Sequence, residues 1–461
     1  MKYFKKTITA LMVSSTLSIA QVAAQPNIVV IVSDDLNYSG LSFTGNSKVK
    51  TPNIDSIFQD GVFFENGYVT HAVCAPSRAG MMTGRYQARF GYETLTSNDK
   101  DGVKHDIGVD TREIFLSEVL KEAGYTTAAF GKWHLGVNEK YQPYNRGFDY
   151  VYGHPGRCSY YNWDSLRING VEVSFREEDK IAVFDHKGRQ RGDAYTTEAL
   201  GRAAADFIDK KGSKPFFLYF GSYNVHKPLQ VPLEYIPEGG DIYDGMVAAL
   251  DANVGTILNA IESNGLEDNT LMFFVNDNGG TKGHANGVFQ GGKATNWEGG
   301  IRVPFGLKWP EKLSGGKNFT GITSTMDIFP TAVAAAGAEM PVDRSYDGVD
   351  LMPWLLGKKA GNPHETLFWR SGYGHAMRMG KYKLLWMADK KKSMANERQH
   401  YGRKKFKWEL PLYKDKHKTY MAPKLFDLSK DPGEQIDISN KFPEITEKMI
   451  RQIEGFDIEM R

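Results

Sequence analysis

The chemistry in this sequence is concentrated around Val73-Cys74-Ala75-Pro76-Ser77-Arg78 and the Thr83-Gly84-Arg85 that follows it. A cysteine just ahead of a proline that can occupy a first helical turn belongs at or beside a helix N-terminus. The peptide N–H groups there favour an anion. Arg78 lies four residues after Cys74, so on a helix both project from one face and can reach one negatively charged ligand. Taken alone, this segment also suits a packed small hydrophobe or a redox thiol.

Four apolar runs deliver polar side chains at their C-terminal ends. Asn27 to Val32 opens into Ser33-Asp34-Asp35, two adjacent carboxylates that repel unless a cation or hydrogen bonds compensate them. Tyr125 to Phe130 opens into Gly131-Lys132-Trp133-His134, and Phe216 to Phe220 opens into the loop that carries His226. Leu271 to Val275 opens into Asn276-Asp277-Asn278. Each terminus also fits a solvated turn, but four on one parallel sheet build a ligand-binding rim. In Gln290-Gly291-Gly292-Lys293 the glycines let the backbone approach a ligand, and Lys293 supplies a mobile positive charge. The alternative is a surface glycine loop with a solvated lysine.

Continuous β-branched and aromatic runs predict strands buried on both faces, as in a parallel sheet. Helical spacing over Ser117 to Ala123, Thr196 to Lys210 and Asp244 to Asn264 alternates with them, which predicts an α/β sandwich with a large, mostly parallel central sheet. A boundary is expected at Gly357, leaving residues 25–357 as the α/β domain. Residues 358–461 form a smaller C-terminal α+β subdomain, with short strands at Leu367 to Arg370, Lys381 to Trp386 and Lys424 to Leu428. A closing helix spans Glu444 to Phe456. Lys390 to Lys424 interleaves cations with Tyr401, Phe406, Trp408 and Tyr413. It reads either as a solvated insertion or as a groove for an anionic sugar polymer.

Of the 461 residues, 41% are hydrophobic and 24% charged, and the net charge is +2, so bulk electrostatics do not favour nucleic acid. Basic Met1 to Lys6, apolar Ile8 to Ala20 and small Val22-Ala23-Ala24 predict a signal peptide over residues 1–24, cleaved near Ala24. No cysteine follows that could be lipidated, so the exported protein, periplasmic or secreted, is expected to be free of the membrane. The 2 cysteines do not make a disulfide framework. A Cys74–Cys158 disulfide is the inert alternative for that pair.

Cys-x-Pro-x-Arg followed by Thr-Gly-Arg resembles the activation signature of type I sulfatases, members of the alkaline phosphatase superfamily. The resemblance extends, in the family's order, through Asn27 to Asp35, Gly131 to His134, the His226 loop, Asp277-Asn278-Gly279, Gly291 to Pro304 and Leu425 to Glu434. It implies an alkaline-phosphatase-like fold and conversion of Cys74 to formylglycine by a maturation enzyme. It also implies a divalent cation on Asp34, Asp35, Asp277, Asn278 and the modified residue 74. Oxygen donors of this kind favour calcium. The reaction implied is sulfate-ester hydrolysis, with a hydroxyl of the hydrated aldehyde attacking sulfur and Asp277 accepting its proton. Arg78, Lys132 and Lys293 neutralise the sulfate oxygens, His226 protonates the leaving oxygen and His134 assists release of sulfate. The expected substrate is a sulfated polysaccharide or oligosaccharide, with an algal galactan such as carrageenan favoured over a glycosaminoglycan. His105, His154, Arg157 and His284 lie in loops that could reach the same rim, without an assigned role. Two other readings keep the same residues: a formylglycine-dependent phosphonate or phosphate ester hydrolase, and a non-catalytic protein that binds sulfated glycans.

Overall fold

A strand of β-branched residues with no polar face belongs in the middle of a sheet, and β1 (Asn27–Ser33) is placed there. Ile28, Val30 and Val32 enter the core on one face, and Val29 and Ile31 enter the core on the other. The structure, a computed structural model, describes residues 25–93, 106–153, 167–174, 176–281, 286–371, 374–387 and 420–460. The expectations for residues 1–24, His105, His154, Arg157, Cys158, His284 and most of the Lys390 to Lys424 stretch lie outside the described residues.

The further strands are β2 (Val62–Tyr68), β3 (Thr126–Gly131), β4 (Tyr150–Gly153), β5 (Arg167–Ile168), β6 (Val171–Glu172), β7 (Val183–Asp185), β8 (Gln190–Gly192) and β9 (Phe216–Gly221). They continue with β10 (Gln230–Val231), β11 (Thr270–Asn276), β12 (Phe305–Lys308) and β13 (Lys317–Ser324). A ten-stranded sheet runs β13-β2-β12-β11-β1-β9-β3-β4-β5-β6, while β10, β7 and β8 form a small sheet of their own. Within the large sheet, β11, β1, β9 and β3 are adjacent and parallel. The four runs singled out in the sequence thus end side by side on one edge. β12 and β5 run against their neighbours.

Helices cover both faces. α1 (Pro52–Gln59), α4 (Thr196–Lys210) and α5 (Ile242–Ser263) pack on the side of Val29 and Ile31. α2 (Cys74–Thr83), α3 (Leu116–Glu122) and α7 (Ile328–Ala335) pack on the side of Val30. The very short α6 (Glu298–Ile301) and α8 (Met352–Leu355) lie along the connections between them. α4 has the bounds its spacing predicts, burying Ala199, Leu200, Ala203, Ala204 and Ile208. α5 starts at Ile242, ahead of the expected Asp244. The Asp241 carboxylate accepts the amide N–H groups of Tyr243 and Asp244 at 2.8 and 3.1 Å and so fixes the first turn.

The C-terminal part forms an antiparallel sheet of β14 (Thr366–Ser371), β15 (Gly374–Met379), β16 (Tyr382–Met387) and β17 (Lys424–Asp427). One face, with Leu367, Trp369, Ala376, Leu385 and Phe426, joins the core of the large sheet. The other, with Met377, Leu384 and Leu425, is covered by Met449 and Ile453 of α9 (Pro443–Glu459). Among the described residues no helix is long and apolar enough to cross a membrane.

Candidate active site

α2 begins at Cys74 because Val73 is extended, with φ −142°, and Pro76 tolerates the first turn; it stops at Gly84, which is left-handed at φ 65°. Cys74 is therefore held at a helix N-terminus, 1% exposed, with a free thiol. The disulfide alternative finds no support. Burial pushes the thiol pKa up, against the pull of Lys132 and Lys293. A thiolate is disfavoured here.

Arg78 lies one turn on and is fully buried. Its Nε donates to Asp277 Oδ2 at 2.8 Å, and its Nη1 donates to Lys132 O at 2.9 Å and to the Tyr219 hydroxyl at 2.7 Å. The guanidinium expected to meet a ligand is thus largely committed to the protein. Its Nη2 remains buried without a hydrogen-bond partner. β9 comes this close because residue 221 is glycine: a Cβ there would lie 2.3 Å from Lys132 O and 3.0 Å from Arg78 Nη1.

The strand ends converge on this helix start. Lys132 Nζ is 2.5 Å from Asp34 Oδ2, and Lys293 Nζ is 2.5 Å from Asp35 Oδ1. Asn278 Nδ2 donates to Asp35 Oδ1 at 2.9 Å, and His226 Nε2 stands 3.6 Å from Asp35 Oδ2. Asp35 and His134, neither of them glycine, adopt left-handed backbone at φ 61° and 67°. Such conformations are held in place only by surrounding structure and gather at functional sites. Burial opposes ionisation of Asp34, yet Lys132 and then His226 hold its carboxyl below the usual range. Asp277 is pushed up by burial and by the Asp34 charge, against Arg78. Enclosure, with Lys132 and Arg78 nearby, lowers the pKa of His134, so its imidazole is neutral. His226 is partly open, its side chain 29% exposed, with Nδ1 2.6 Å from Lys227 O.

Every residue proposed for the site from the sequence and described here falls in this one cluster. Three others matter that the sequence did not single out. Asn276 ties the two acidic strand ends together: its Oδ1 accepts Leu36 N–H at 3.1 Å and Ser33 Oγ–H at 2.9 Å, and its Nδ2 donates to Leu36 O at 2.6 Å. Asn224 accepts Asp34 N–H on its carbonyl at 2.9 Å and anchors the His226 loop through Thr197, Tyr195 and Met246 O. Tyr219 holds Arg78. Its one signal was a hydroxyl inside an otherwise apolar strand, which must find a partner when buried.

The donor set fits a hard divalent cation. Ligand atoms of Asp34, Cys74 and Asp277, and those of Asp34, Asp35 and His226, lie within 4.8 Å of one another. Asp34 Oδ1 and Asn278 Oδ1 are buried and accept no hydrogen bond. Unsatisfied buried oxygens beside paired carboxylates are what a bound cation compensates. Beside them stand three cations, Arg78, Lys132 and Lys293, each paired with one of these carboxylates.

Residues 26–338 match the family described as Sulfatase, and residues 362–461 match the C-terminal region of aryl-sulfatase. N-acetylgalactosamine-6-sulfatase of Mus musculus is 31% identical over 450 residues, covering 93% of this chain and 85% of that protein. Steryl-sulfatase of Homo sapiens is 32% identical over 423 residues, covering 75% of this chain and 72% of its own. The crystal structure of Ps i-CgsB in complex with k-i-k-neocarrahexaose has a TM-score of 0.79 at 31% identity, covering 95% of this chain and 94% of that one. The mixed sheet flanked by helices, with its separate small antiparallel sheet, is the alkaline-phosphatase-like fold of these relatives. With the family pattern over most of its length and the charged cluster on the matching strand ends, the chain belongs to the sulfatase family and is a sulfuric ester hydrolase.

Proposed function

We propose that this protein removes O-sulfate groups from a sulfated polysaccharide or oligosaccharide, using a formylglycine made from Cys74 and a calcium ion held by Asp34, Asp35, Asp277, Asn278 and residue 74. The observation that carries the reading is the convergence of three fixed cations and three carboxylates on a helix N-terminus whose thiol is buried and poorly ionised. Such a thiol is a weak nucleophile, which supports its conversion to another group. Formylglycine supplies a hydroxyl for attack on sulfur, and calcium supplies positive charge that favours its ionised form.

The chain's own residues do the rest. Arg78 Nη2, Lys132 and Lys293 receive the sulfate oxygens and stabilise charge that grows on them during transfer. Asp277, held in place by Arg78 Nε at 2.8 Å, would accept the proton of the attacking hydroxyl. His226, open to the solvent side, protonates the leaving sugar oxygen, and His134, neutral when enclosed, removes a proton as sulfate departs. Neocarrahexaose in the structural relative supports a carrageenan-type galactan as substrate, while the murine relative's name keeps a galactosamine sulfate in view.

The basic and then apolar residues 1–24 support export to the periplasm or medium. The division at Gly357 belongs to the same reading, with residues 25–357 carrying the chemistry and 358–461 supporting it. The test is sulfate release by protein matured in a competent host, on defined sulfated oligosaccharides beside matched aryl sulfate and aryl phosphate esters. Mass spectrometry of the peptide spanning residue 74 accompanies it. Confirmed formylglycine with binding and no turnover, or a strong preference for phosphate, overturns the reading.

A further inference from the structure

The loop that carries Lys293 is gripped from behind by the C-terminal sheet through ions that no solvent reaches. Lys383 on β16 lies with its Nζ 2.9 Å from Glu298 Oε1 and 2.9 Å from Glu434 Oε1, all three side chains being 0% exposed. Glu434, in the turn after β17, also accepts the amide N–H of Glu298 on Oε2 at 2.6 Å. The second oxygen of Glu298 accepts the Tyr68 hydroxyl at 2.7 Å. A separate link runs through Asn296, which donates to Gly374 O at 3.0 Å and accepts from Ser371 Oγ at 3.4 Å.

The loop is closed on itself and on the catalytic helix. Gly299 N donates to Gln290 O at 2.8 Å, Lys293 N to Gly280 O at 2.9 Å, and Ala294 N to Ala72 O at 2.7 Å, two residues before Cys74. A shift of Glu298 therefore carries Lys293 with it. Buried ion pairs add little stability over an apolar filling of the same volume, because desolvation offsets their attraction. What they contribute is direction and distance, and here both are delivered to the residues around Lys293.

We propose that Lys383, Glu434 and Glu298 are positioning residues for Lys293, so that the C-terminal sheet sets the place of a sulfate-binding ammonium it does not touch. This rests on Lys293 meeting the sulfate group.

The test uses the full chain with Lys383→Met and Glu434→Gln, each alone and combined with Lys293→Ala. Two readouts are taken: affinity for inorganic sulfate by calorimetry and kcat/KM on a sulfated substrate. Each single substitution is expected to lower both by about tenfold, and the loss is expected to shrink to about twofold or less in the Lys293→Ala background, as for residues that act through one another. Lys383→Arg, which keeps the charge, recovers part of the loss. Sulfate affinity that stays unchanged, or losses of equal size with and without Lys293, overturns the proposal. If Lys383→Met does not fold, Glu434→Gln, which keeps the shape of the side chain, carries the same comparison. The calorimetric arm needs no turnover. A protein that binds sulfate with this coupling but hydrolyses no sulfate ester refutes the proposed function and leaves the positioning role standing.

Discussion

Arg78 and Cys74 share one face of α2, as their spacing predicts, but they differ in how the fold uses them. Arg78 is locked by Asp277, Lys132 O and Tyr219, whereas Cys74 makes a poor thiolate and packs as a small buried group. Cys74→Ala is therefore expected to abolish sulfate release while changing stability by only about 1 kcal/mol, the range of a small substitution that leaves no large cavity. Denaturant unfolding beside a sulfate-release assay checks both halves; near-normal turnover refutes the nucleophile assignment. Lys293→Ala removes a fixed cation from the place where negative charge develops, and should lower kcat about 10²-fold with little change in melting temperature. An unchanged rate would put the glycine loop outside the chemistry. Both residues were legible from type and spacing. Tyr219 was not, because its partner Arg78 lies 141 positions away.

At the scale of elements, the site depends on β1 and β11 ending in register. Ser33 pairs with Asn276 across the parallel ladder, and the Asn276 side chain stitches the turns that follow. Asn276→Ala leaves the Leu36 N–H and C=O buried without this partner, and each such group costs about 1–3 kcal/mol. A loss of at least about 2 kcal/mol in denaturant unfolding is expected, together with reduced turnover, since the acids on both sides of that stitch move with it. A variant of unchanged stability would show that the ladder alone fixes the two strand ends. The four runs could be read as continuous apolar stretches, and the helices over Thr196 to Lys210 and Asp244 to Asn264 from apolar spacing, because burial imposes both locally. β15 could not, since the buried Arg378 and His375 interrupt its apolar residues, Arg378 donating to Asn66 Oδ1 at 2.9 Å and His375 Nε2 standing 2.8 Å from Asp457 Oδ2.

For the whole molecule, the cation proposed on the carboxylates gathered around Cys74 would make folding and cation binding interdependent. Chelation of calcium should abolish turnover and lower the melting temperature, and readdition should restore both; a ligand at 100 times its Kd stabilises by about 2.7 kcal/mol. A melting curve indifferent to chelator would argue against a bound cation. The ion cluster joining the two sheets predicts a pH effect of definite sign. Burial pushes the Glu434 carboxyl up from its ordinary 4.5 to about 7, helped by Glu298 and opposed by Lys383. The unfolded chain then releases this proton at lower pH than the folded one, so the group's contribution to stability falls as pH rises from about 5 through 7. Glu434→Gln removes that dependence. Relative to the wild type it should gain about 2 kcal/mol in going from pH 5 to pH 8, read by denaturant unfolding at each pH, and a gap that does not change with pH contradicts the assignment.

By itself the sequence determined which chemistry was on offer: the Cys74 signature, oxygen donors at the ends of apolar runs, Lys132 and Lys293 beside glycines, and a parallel α/β frame to hold them. These could be read because strand burial, helix starts and glycine turns leave their marks within a few residues of themselves. Only the tertiary structure decided that Arg78 is held by Asp277 and Tyr219, that Lys132 and Lys293 pair with Asp34 and Asp35, and that Lys383 on a different sheet grips the Lys293 loop. Those contacts join residues far apart in the chain, and a buried charge leaves no periodic mark in the sequence. Which opposite charge it meets is fixed by packing.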